Sequence, residues 1–233
     1  MAATVSTLWY VDAPDPATVL REHAPDRDAA RALLSRLFPD RRVDFGKRIP
    51  LTEAGSLGQD DEVERICVGS YPGVTVVSSH RFTLRRPSEL SPMWLRTPAS
   101  ERTCLLVSDR AGAWGSFAVW QRGSLRRAFG ASTVEFFEDD GLPFVWERPF
   151  WAGEHPLRWP ANFPPPPQSL PFHPRKLVEE AHGAWLGFRY VGRRDDEPDP
   201  REIETWSFTL NSPSPRLSVP TPRIAWWRRL VAH

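Results

Sequence analysis

At 233 residues, with 40% hydrophobic residues and 30 basic against 29 acidic side chains, the chain has the composition of a soluble globular protein with one substantial core. A net charge of +1 creates no field to steer nucleic acid, so no nucleic-acid partner is expected. No window approaches the roughly 18 apolar residues of a membrane span, and MAATVSTLWYVDAPD lacks the basic and long apolar stretches of a secretion signal. A cytoplasmic location is the expectation. Cys67 and Cys104, both inside apolar runs without a Cys-x-x-Cys partner, read as buried free thiols.

In chain order, Ser6–Asp12 reads as a buried strand. Asp15–Pro16 supplies an N-cap and a first-turn proline for a helix through about His23. Asp26–Phe38 follows as a second helix, with Ala30, Leu33, Leu34 and Leu37 at i, i+3, i+4 and i+7 and Pro39 as its stop. Val43–Leu51 is a plausible strand, and Val63–Tyr71 and Val74–Leu84 form a hairpin about Pro72–Gly73. Pro87–Arg96 suits a short helix. Thr103–Asp109, Trp114–Gln121 and Ser124–Ala131 make a meander.

The stretch 136–174, FFEDDGLPFVWERPFWAGEHPLRWPANFPPPPQSLPFHP, holds ten of the 25 prolines and three of the 11 tryptophans. Disordered linkers are poor in aromatic residues, so this segment reads as an ordered loop laid over the domain. Arg175–Tyr190 is then a helix with Leu177, Val178, Ala181, Ala184, Trp185 and Phe188 on one face, and Glu204–Leu210 a closing strand. The fold class is α+β: a single antiparallel or mixed sheet of about seven strands with helices packed on one side, plus an extended C-terminal tail. Residues 1–210 form the domain, 211–223 (NSPSPRLSVPTPR) a proline- and serine-rich linker, and 224–233 (IAWWRRLVAH) an amphipathic tail.

Glu154, His155 and His173 are the best polar cluster. Two imidazoles and a carboxylate are the makings of a metal site or a catalytic base with its orienting acid. The plainer reading has each histidine pinning loop backbone. Their 18-residue separation matches no standard metal spacing, so no metal or cofactor is expected. Asp139, Asp140 and Glu147 could complete a carboxylate site, although Asp-Asp-Gly is ordinarily a turn. Asp12 and Asp15 read as turn and capping residues. Glu179-x-x-His182 is half of a di-iron motif without its second half. No Walker loop, HExxH, Rossmann fingerprint or Gly-x-Ser-x-Gly elbow occurs.

WAGEHP, SLPFHP and EEAHGAWLGF, together with TLWYVDAPDP, DRDAARALLSRLFP, VTVVSSHRFTLRRPSEL and FAVWQRG, resemble a group of actinobacterial proteins known only as a domain of unknown function. The likeness runs over roughly residues 5–210. It implies a cytoplasmic α+β domain and transfers no activity. From the residues themselves, the expectation is a non-enzymatic interaction protein that docks on a larger protein partner. Its contacts would be Trp146, Trp151 and Trp159 of the loop and Trp226, Trp227, Arg228 and Arg229 of the tail. The tail also suits weak contact with an anionic membrane surface. The alternative is a small-molecule binder or hydrolase built on Glu154, His155 and His173.

Overall fold

A computed structural model describes residues 4–55, 64–96, 100–159, 162 and 164–211. Its strands are β1 (Val5–Val11), β2 (Arg42–Pro50), β3 (Glu64–Tyr71), β4 (Val74–Ser78), β5 (Arg102–Asp109), β6 (Trp114–Gln121), β7 (Ser124–Ser132), β8 (Phe136–Asp140) and β9 (Glu204–Asn211). They form one sheet in the order β2-β9-β3-β4-β1-β5-β6-β7-β8, with every neighbouring pair antiparallel. The helices are α1 (Pro16–Glu22), α2 (Arg27–Leu37), α3 (Leu51–Ala54), α4 (Met93–Arg96), α5 (Arg148–Trp151) and α6 (Pro174–Leu186).

Local chemistry accounts for the helix starts. Asp15 caps α1 by accepting from the Thr18 N–H, with Pro16 in the first turn, and Asp26 caps α2 by accepting from Asp28 and Ala29. Helix α2 buries Ala30, Leu33, Leu34 and Leu37, the stripe its spacing prescribes. Helix α6 ends where Gly187 adopts φ 73°, a left-handed C-cap that costs a glycine little and packs its α-carbon against Ala17.

Two features differ from the expectation. The sheet has nine strands among the described residues, against about seven. Residues at the start of the segment read from sequence as an irregular loop form β8, which pairs with β7 and makes one edge of the sheet. The helices also cover both faces of the sheet, not one. On one face α1, α3, α5 and α6 pack on Trp9, Val11, Cys104, Leu106, Phe117 and Phe129. On the other, α2, α4 and the 3₁₀ turn His80–Phe82 pack on Leu8, Tyr10, Leu105, Val107, Ala118 and Trp120. Adjacent residues of β1 and β5 therefore point into different cores. Strands buried on both faces read as continuous apolar runs, which is why LWYV and CLLV show no polar alternation. Both cysteines are free and buried, and burial raises each thiol to about 12.

Among the described residues no helix is long and apolar enough to cross a membrane. Trp226, Trp227, Arg228, Arg229 and most of the 211–223 linker lie outside the described residues, apart from Asn211 at the end of β9.

Candidate functional site

The loop after β8 is tied down by one buried ion pair. Arg127 on β7 and Glu147 are both fully buried, and the guanidinium meets the carboxylate through Nε–H (3.2 Å) and Nη2–H (3.0 Å). Glu147 also accepts from the Phe144 backbone N–H (3.0 Å) and the Trp151 indole N–H (3.4 Å). Arg127 Nη1 reaches Asp139 and the Asp140 carbonyl. Two of the three acids suspected of forming a carboxylate site thus converge, but on an arginine. A paired guanidinium and carboxylate have satisfied each other, so this cluster holds the loop on the sheet.

That anchor turns the loop aromatics inward. Trp151 stacks on Phe136 (6.3 Å between ring centroids) and meets Phe172 edge-on (5.0 Å). Trp146 stacks on Phe144 (6.1 Å) and meets Trp185 edge-on (5.6 Å). These two tryptophans are partly buried and pack against the core, and Trp159 is half-buried. Outward apolar groups do exist on the same loop: Leu142 is 87% exposed and Val145 72%.

Glu154 and His155 lie exposed after α5, with the His155 ring stacked on Phe150 at 4.2 Å. His173 is the N-cap of α6, its Nδ1 accepting from the Arg175 N–H at 3.2 Å, and burial together with Arg175 and Lys176 holds its pKa low. Among the described residues no group of three His, Cys, Asp or Glu is placed to hold a metal ion.

His182 is fully buried, whereas Ala184, expected on the apolar face, is exposed. The imidazole meets the Val178 carbonyl at 3.0 Å through Nδ1, so that nitrogen carries the proton. Its Nε2 has no partner among the described residues, and burial lowers the pKa to about 4. Glu179 accepts from the backbone N–H groups of Tyr190 and Val191, pinning the chain that leaves α6, and burial raises its pKa.

A concavity among the described residues lies elsewhere, at the sheet end where β1 and β6 finish and β5 and β7 begin. It has a volume of about 450 Å³, within the usual range of small-molecule sites. Val11, Val119, Phe144 and Trp185 supply its apolar wall. Asp12, Glu101, Arg102, Gln121 and Arg126 supply polar groups. Asp12, the acid that closes the first strand, accepts from the Ser100 hydroxyl (3.0 Å) and the Glu101 N–H (2.7 Å), and so fixes the rim. Arg102 donates from Nη2 to the Trp185 carbonyl at 3.1 Å, tying β5 to the end of α6. Phe144 meets Trp185 edge-on at 5.9 Å.

Glu154, His155 and His173 are not among the residues lining this cleft. Of its lining, sequence reasoning singled out Asp12 as a turn residue and Trp185 as helix core. Arg102, Gln121, Arg126 and Phe144 carry no motif that could mark them, since they meet only through strand pairing.

No curated protein and no solved structure matches the chain. A family model matches residues 5–208, nearly the whole described domain. The chain therefore belongs to a family of unknown function (DUF6928).

Proposed function

We propose that this domain binds a small molecule in the cleft between the end of β1, the start of β5 and the end of α6. The observation that supports this reading is the convergence of an apolar aromatic wall with several polar side chains in one concavity of about 450 Å³. Glu154 and His155, by contrast, stand exposed on the loop. Val11, Arg102, Val119, Gln121 and Arg126 stand on strands and Trp185 on α6, which favours a preformed site. A fragment screen by ligand-observed NMR tests the reading, run on the wild type and on Gln121→Trp. Gln121 is exposed at the cleft, so a bulky side chain there fills the opening without entering the core. Hits lost in the variant support the cleft; hits retained equally, or none at all, refute it.

A second reading is a non-enzymatic docking protein whose contacts are the loop tip and the C-terminal tail. The exposed Leu142 and Val145 favour it, since apolar side chains at a rigid loop tip suit a partner surface. Affinity purification of the full chain, a chain truncated after Leu210, and Leu142→Asp/Val145→Asp separates the two. A stoichiometric partner that both changes release supports docking. Recovery of all three forms alone refutes it.

A further inference from the structure

Charge around the cleft is not balanced. The two acids are engaged: Asp12 accepts the two hydrogen bonds described above, and Glu101 pairs with Arg122 at 2.8 Å. Neither Arg102 nor Arg126 forms an ion pair among the described residues. Arg102 is held by the Trp185 carbonyl oxygen, and its buried Nε has no hydrogen-bond partner among the described residues. Both arginines at this wall can only donate hydrogen bonds. The missing complement is an acceptor.

Size and charge narrow it further. Two arginines opposed by the nearby Asp12 leave about one positive charge, enough for one acidic group and too little for a polyphosphate. The approach to α1 supplies no help with phosphates, because Ala13, Pro14 and Asp15 stand where a glycine-rich cradle would be needed. Phe144 and Trp185 present an edge-to-face pair to the cleft, a surface suited to a flat ring. Building on the cleft reading above, we propose that the ligand is a small organic monocarboxylate. Its carboxylate is held by Arg102 and Arg126, and its ring-bearing body lies against Phe144 and Trp185. A carboxylate accepts charge-assisted hydrogen bonds from guanidinium N–H groups, shorter and stronger than those between neutral partners.

Isothermal titration at low salt with three matched probes tests this: 2-naphthoate, 2-naphthalenemethanol and 2-naphthylmethylammonium. The proteins are the wild type, Arg126→Gln, Arg102→Gln and Gln121→Trp, each checked for an unchanged unfolding transition. Arg126 is exposed, so its replacement removes charge without disturbing the fold. The wild type should bind naphthoate about tenfold tighter than the alcohol and reject the ammonium, with Arg126→Gln bringing acid and alcohol within about twofold. Equal or tighter binding of alcohol or ammonium by the wild type overturns the anion proposal while the cleft stands. Naphthoate preference that survives both arginine variants overturns it too. Binding that persists in Gln121→Trp, or none of the probes binding the wild type, overturns the cleft reading itself.

Discussion

Replacing Glu147 with glutamine changes one atom at the point where the loop is fastened. Glu147 and Arg127 are both fully buried, so the guanidinium would keep its charge and lose its main counter-charge. Removing one partner of a buried pair costs about 3–5 kcal/mol, because the other charge is left uncompensated. Asp139, which is 46% exposed, and the Asp140 carbonyl remain on Arg127 Nη1, so the low end of that range, about 3 kcal/mol, is expected. For a chain of this size that lowers Tm by roughly 6–12 °C. Urea unfolding followed by tryptophan fluorescence and far-ultraviolet circular dichroism measures it, with an unchanged slope confirming a stability effect. The double variant Arg127→Met/Glu147→Leu removes both charges and should recover to within about 1 kcal/mol of wild type. A loss under about 0.5 kcal/mol in Glu147→Gln, or a double variant less stable than the single, would refute the claim that this pair anchors the loop.

His182 makes stability depend on pH in a defined window. Its folded pKa of about 4 lies below the ordinary 6.5, so between those values the unfolded chain binds a proton that the folded chain excludes. Stability should therefore fall as pH drops from 6.5 toward 4, by up to about 1.4 kcal/mol per unit. His182→Leu should flatten that slope, and an identical slope in both proteins would count against the burial argument. Gly187→Ala places a side chain at φ 73° and 2.7 Å from the Ala17 β-carbon, which should cost about 1–2 kcal/mol and several degrees in Tm, read by calorimetry. Cys67 and Cys104, with thiols near 12, should resist Ellman's reagent in the native protein and react on unfolding; rapid native labelling would contradict their burial. Glu154→Ala should leave Tm unchanged within about 1 °C, since the side chain is exposed.

Local signals were legible in the sequence because the interactions that produce them are local. Asp15–Pro16 and Asp26 start helices through hydrogen bonds two or three residues on, and the Ala30–Leu37 stripe follows from 3.6 residues per turn. The hairpin at Pro72–Gly73 and the β5–β6–β7 meander likewise need only tight turns. Two-sided burial was legible as well, in the unbroken apolar runs of β1 and β5, although the expectation of one helical layer overlooked it. What only the tertiary structure decided rests on contacts far apart in the chain. Nothing near Phe136 announces that it will pair with Ala131 as an edge strand. Trp146 and Trp151 pack against the core on a loop fastened where Glu147 finds Arg127 twenty residues away, and a charge in sequence carries no mark of its future partner. The cleft gathers Val11, Arg102, Gln121, Arg126, Phe144 and Trp185 at one sheet end. Strand order determined that grouping, because it sets β1, β5, β6 and β7 side by side although their residues are far apart in the chain.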